Sequence, residues 1–214
     1  MDEETALIDA NTRNEKIKNF LINNKSKIIS LLAILVILLI IFFSFGEYQK
    51  RVKENISDQF NSITINFKSE NKNKTFDELS KIIEKKNSTY SPLALYFIID
   101  NKLSEDRSKI NSLFDVLIDE TNLENEIKNL IIYKKALYNA DEIDENELLN
   151  ILSPLNNSES VWKSHSFFLL GEYFYSKGEK QKAKDFFEQI LSLDNSNPEI
   201  KIQAQKRLNR DLSE

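Results

Sequence analysis

The side chains that most often carry enzyme chemistry are scarce in this chain. Among its 214 residues there are one histidine, no cysteine, three glycines and three prolines. Thiolate catalysis, disulfides, cysteine-based zinc sites and glycine-rich phosphate loops therefore lack their raw material. His165 lies between Ser164 and Ser166, but hydrolysis by serine needs a positioned nucleophile and an oxyanion hole, and no Gly-x-Ser-x-Gly segment is present. A lone imidazole also cannot hold zinc unless carboxylates supply the other ligands. The densest acidic run, Asp141-Glu142-x-Asp144-Glu145-x-Glu147, lacks the glycine and the ligand spacing of a calcium loop. It reads as a solvated loop entering a helix, whose N-terminus favours acidic side chains. The expectation is a protein with no catalytic, metal or cofactor-binding residues and no small-molecule substrate.

Charge excludes a further class. Thirty-four acidic against 29 basic residues leave a net charge of -5, and only Arg13, Arg51, Arg107, Arg207 and Arg210 are arginines. A nucleic-acid binder needs a basic face and favours arginine at base edges, so none is expected as a partner. Aromatic residues concentrate instead at Trp162, Phe167, Phe168, Tyr173, Phe174, Tyr175, Phe186 and Phe187. Some of them would line a groove for a partner's apolar helix or extended segment, or all would be core; both readings stand at this point.

The elements that would position such a surface follow from the hydrophobic pattern. Residues 28–45 form 18 positions without a charge, which at about 1.5 Å per residue cover about 27 Å, close to the hydrocarbon core of a bilayer. A transmembrane helix is expected there. Ser44-Phe45-Gly46 offers a small-x-small cleavage pattern, but 27 residues precede the run and it exceeds a signal peptide's usual apolar length. Arg13, Lys16, Lys18, Lys25 and Lys27 before the helix outnumber Lys50, Arg51 and Lys53 after it, so residues 1–27 are expected to be cytoplasmic and 46–214 exterior, which is the periplasm if the cell is bacterial. Within the tail, Ala6, Leu7, Ile8, Ile17, Phe20 and Leu21 could form a short amphipathic turn at the membrane face, or the tail could be a disordered leader.

Beyond the membrane segment the apolar period is 3.6. Tyr48, Val52, Ile56, Phe60, Ile63 and Phe67 share one helical face. Further helices are predicted over 75–86, 92–102, 105–120, 122–139, 145–155, 159–176, 179–193 and 198–212. Ser91-Pro92 and Asn197-Pro198 each pair a capping residue with proline at the first helical position. The predicted class is all-α: antiparallel helices with short connections.

One segment is more specific. Phe167-x-x-Leu170-Gly171-x-x-Phe174, then Gly178 and Ala183-x-x-x-Phe187, resembles the tetratricopeptide pattern, with Phe in place of its Trp and Tyr. Gly171 and Ala183 would be the small positions where two helices approach, and Gly178 would turn the chain with positive φ. Asn87-Ser88-Thr89-Tyr90 before an Ala94-containing helix, and Val161-Trp162 before Leu170-Gly171-Glu172 and Ser176-Lys177-Gly178-Glu179-Lys180-Gln181-Lys182-Ala183, extend the pattern. Tail, single span and helical array together resemble the YfgM-like ancillary subunits of the bacterial Sec translocon. The resemblance covers residues 15–210 and is specific over 160–195. It implies a single-pass inner-membrane adaptor that contacts translocon subunits and periplasmic chaperones or secreted chains, without enzymatic activity. The same architecture would also suit a scaffold for envelope or cell-division complexes.

Overall fold

The computed structural model describes residues 15, 16 and 18–212, and the regular elements among them are all helical. Ala6, Leu7, Ile8 and Ile17, on which the amphipathic-tail reading rests, lie outside the described residues. The chain divides into two units, Met1–Asn55 and Ile56–Glu214. Helix α1, Lys25–Ile65, runs through the boundary.

In the first unit, the side chains from Ile29 to Phe45 are exposed. An uncharged surface of this extent is poorly solvated by water, whereas in hydrocarbon it is favourable, because a helix satisfies its main-chain hydrogen bonds internally. Among the described residues α1 is the one helix long and apolar enough to cross a membrane.

The second unit holds two apolar cores. After a 3-10 turn at Ser69–Asn71, helices α2 (Lys72–Glu84), α3 (Tyr90–Asp100) and α4 (Arg107–Asp115) build the first. It buries Leu79, Ile82, Ile83, Leu95, Ile98 and Phe114, with Ile56 of α1 added from outside. Helices α5 (Asn125–Asn139), α6 (Glu145–Asn156), α7 (Lys163–Ser176), α8 (Lys180–Ser192) and α9 (Pro198–Asp211) build the second. Two amides join α4 to α5: Asn139 donates to the Asn111 side-chain oxygen at 2.7 Å and Asn111 donates back at 3.0 Å.

Helix starts follow the capping side chains. Asp106, Asp144 and Asn197 each accept from a main-chain N–H two or three residues on, which satisfies donors that the first helical turn leaves open. The start of α3 differs from the expected Ser91-Pro92 cap. The Asn87 side chain accepts from Thr89 and Tyr90 N–H, so the helix begins at Tyr90 and Pro92 sits deeper in the first turn, where its missing N–H still costs nothing. Ser91 is fully buried. Its hydroxyl accepts from Asn87 N–H and donates to the Ile82 carbonyl, both at 2.9 Å, closing the end of α2. The predicted helix over 105–120 also changes form: α4 ends at Asp115 and the chain widens into a π turn, Val116–Glu120. The Thr121 hydroxyl bonds the Val116 carbonyl at 2.9 Å there, and Leu117 is fully buried.

The seven residues of the repeat-like segment take the following places. Phe167, Leu170, Gly171 and Phe174 on α7 and Ala183 and Phe187 on α8 are buried in the second core. Gly178, with φ of 79°, turns between the two helices, while Glu179 N–H bonds the Phe174 carbonyl at 2.9 Å. The tight approach at Gly171 is to Phe187 rather than to Ala183: a Cβ added there would lie 2.6 Å from the Phe187 ring. Because that ring is fully enclosed, it has nowhere to move. Overpacking costs about 1–3 kcal/mol and the helix gains about 0.5–1 kcal/mol from replacing a glycine. Gly171→Ala is therefore expected to lower stability by about 1–2 kcal/mol in urea unfolding of the full chain in nanodiscs. Gly178→Ala has open space around it and should cost only its left-handed backbone, about 1–2 kcal/mol, which Gly178→Asn would largely recover.

Candidate functional site

The residues that could have suggested catalysis are held in structural roles. Ser164 Oγ accepts from Asn197 N–H at 3.3 Å and Ser166 Oγ donates to the Asn156 side chain at 2.6 Å. Neither bonds His165, whose ring lies 4.9 Å from that of Trp162 and 5.7 Å from that of Tyr133, centre to centre. Burial lowers the imidazole pKa from its ordinary value near 6.5, with the Val161 carbonyl and Glu199 pulling the other way. Within the acidic stretch, Asp144 caps α6, Glu142 pairs with Arg107 at 3.3 Å, and Glu145 binds Lys182 at 2.9 Å, which Glu179 also binds at 2.8 Å.

The aromatic concentration is core rather than groove. Phe167, Tyr173, Phe174 and Phe187 are buried, and Trp162, Phe168, Tyr175 and Phe186 pack partly buried against them. Phe186 stacks on Phe174 with ring centres 5.5 Å apart. Across this core, Glu172 on α7 binds Arg207 on α9 through both carboxylate oxygens, and Asp211 binds the same guanidinium at 2.9 Å. The paired arginines Arg210 and Arg207 hold the Asp211 carboxyl well below the usual carboxylate range.

The groove lies elsewhere, between α3 and the start of α5, with a volume of about 670 Å³. Pro92, Leu93 and Tyr96 form one wall and Leu123, Ile127 and Leu130 the other. Leu93 is 40% and Ile127 39% exposed, so the walls are apolar yet open to solvent. Ser88, Thr89, Asn122 and Glu124 supply a polar lip. Tyr96 projects its hydroxyl into a buried position with no hydrogen-bond partner among the described residues, and burial pushes its pKa up to about 12. Lys134 lies over the same ring, 4.6 Å from its centre, a cation held on an aromatic face.

Sequence reasoning missed this groove, although a signal was present. Residues 93–99 are seven consecutive apolar side chains on a helix of 11 residues. One stripe of a helix takes only about half of such a run, so the remainder must either meet further partners or face outward.

Two outcomes follow. Leu93→Asp and Ile127→Asp alter open positions, so urea midpoints should move by no more than about 0.5 kcal/mol in stability. A large loss would mean that these side chains are core. For His165, the lowered folded-state pKa means that the unfolded chain binds the proton first as pH falls. Stability should thus be complete above the unfolded value near 6.5 and decline as pH drops from there toward the folded value. Urea midpoints at pH 7.5 and 5.5 should show that decline, and a smaller one in His165→Gln.

Comparison with protein-family models, with curated proteins and with solved structures finds no match for the chain, so the chemistry of the groove rests on its own residues.

Proposed function

We propose that this protein is a membrane-anchored, non-catalytic adaptor that uses the α3–α5 groove to hold apolar segments of other proteins close to the bilayer. The groove is the observation that carries the reading: an open apolar channel on a helical domain whose chain also supplies a helix able to span a membrane. Tethering is the mechanism. An anchor confines the groove to a thin layer beside the bilayer and raises its effective concentration toward other membrane-held partners without any added contact. Apolar walls bind by removing surface from water, about 25 cal/mol per Å², which suits partners that expose such surface while unfolded.

In its finer form the proposal follows the likeness to YfgM-like subunits and tetratricopeptide arrays. The chain would stand in a bacterial inner membrane beside the Sec translocon, with its N-terminus cytoplasmic and residues 46–214 periplasmic, and would link the channel to periplasmic chaperones or emerging chains. The arrangement of His165, with both flanking serines bonded elsewhere, supports the non-catalytic part.

Topology is tested by single cysteines at the exposed positions Lys16 and Asn195. In intact spheroplasts an impermeant thiol reagent should label Asn195→Cys and spare Lys16→Cys; the reverse would overturn the orientation. Photo-crosslinkers at Leu93 and Leu38 test the partners. Adducts to a chaperone or nascent chain from Leu93 and to channel subunits from Leu38 are expected, whereas adducts confined to division or outer-membrane assembly proteins would replace the translocon reading by an envelope scaffold.

A further inference from the structure

The groove has a polar side that its apolar walls do not explain. Between the π turn and α5 the chain is extended: Thr121 has φ, ψ of -99°, 131° and Glu124 of -61°, 145°. Neither Asn122 nor Leu123 makes a main-chain hydrogen bond to another described residue, and both line the groove. The main-chain groups of this extended segment of the lining are thus unpaired among the described residues, as are those along the edge of a sheet. A helix placed there would gain nothing from them, because its own main chain is already satisfied. An extended chain would pair with them while setting alternate side chains into the trough.

Charge then sets the ends. Glu124 stands at the lip, is exposed, caps no N–H with its side chain and forms no ion pair with another described residue. Its acidic neighbour Glu120 is already bound by Lys86 at 2.6 Å, so Glu124 is the uncompensated carboxylate of that lip. On the Tyr96 wall a further charge, Lys134, is laid over the Tyr96 ring. Ten residues of helical rise separate Glu124 from Lys134, about 15 Å, which an extended chain crosses in about four to five residues at about 3.3 Å each.

We infer that the groove takes a short extended peptide, apolar at alternate positions, whose main chain pairs with Asn122 and Leu123 and whose lysine, arginine or terminal amine lies on Glu124. The inference rests on the adaptor reading and names its ligand. The basic residue at one end distinguishes this ligand from any other apolar segment. The trough supplies affinity, the free main chain supplies direction, and Glu124 supplies register.

The test uses the full chain in nanodiscs of uncharged phosphatidylcholine and three labelled, end-blocked peptides. One is an eight-residue peptide of alternating valine and threonine ending in lysine, one carries glutamate in place of that lysine, and one is a helix-forming peptide of alanine, leucine and lysine. By fluorescence anisotropy at low salt the lysine peptide should bind about tenfold tighter than the glutamate peptide, since attraction replaces repulsion at one exposed carboxylate. Glu124→Lys, which removes no capping bond, should invert that preference. Methylating one main-chain nitrogen of the lysine peptide on the pairing edge should weaken it by a similar factor. Equal binding of both extended peptides, lost in Leu93→Asp, would leave the groove reading standing and overturn this one. Tighter binding of the helical peptide, or a dimer of the chain that Leu93→Asp disperses, would also overturn it. Absence of any binding that Leu93→Asp changes would overturn the groove reading itself.

Discussion

Helix α3 cannot be satisfied by one neighbour, and much of the first core is arranged around that constraint. Its seven consecutive apolar residues point in every direction around the helix axis, so water must be removed from several sides at once. Helix α2 covers one side with Leu79, Ile82 and Ile83. A second is covered by rings: Phe60 lies 5.8 Å from Tyr90, and Phe67 meets Phe97 edge-on at 5.4 Å. The last strip, carrying Leu93, is left to the groove. The groove is therefore a remainder of packing, the side of an apolar helix for which the domain supplies no complete cover.

Short connections with unusual ends hold α3 in that place. Helices α2 and α3 each end on a lysine with positive φ, Lys86 at 52° and Lys102 at 48°, where glycine would be free of strain and a side chain costs about 1–2 kcal/mol. The cost is tolerated because the following bonds are specific. Leu103 N–H returns to the Ile98 carbonyl at 3.0 Å and buries the leucine beneath the turn, as in a Schellman closure. At Lys86 the buried Ser91 hydroxyl stands in for the corresponding main-chain bond. A side chain from the next helix thus completes the end of the previous one and adds a specific bond to the apolar packing that holds α2 against α3.

The extent to which this was legible in the sequence varies with the range of the interaction. The uncharged run of residues 28–45, the caps at Asp144 and Asn197 and the turn at Gly178 are local, and each could be read from neighbouring residue types. The start of α3 was misread because Asn87 and Ser91 act across four residues and on another helix's carbonyl. The π turn has no residue signature of its own; it follows from where Leu117 and Thr121 must be buried. The aromatic cluster leaves groove and core both open in the sequence, because its residues outnumber one helix face; Gly171 admits Phe187 so deeply that the two helices absorb them. The groove depends on which side of α3 lacks a neighbour, a fact about tertiary arrangement that periodicity alone does not carry.

The paired amides of Asn111 and Asn139 have a chemical consequence. Each side chain presents an oxygen to the other's nitrogen, so the two form a closed ring that discriminates between NH₂ and O at a resolution of one atom. Hydrolysis of either amide, the common ageing reaction of asparagine, would replace a donor by an anionic oxygen and set it against its partner's carbonyl oxygen. With Asn139 almost fully buried, water could not repair the mismatch. A carboxylate at either position would therefore weaken the joint between the two cores, so the geometry demands an amide at both.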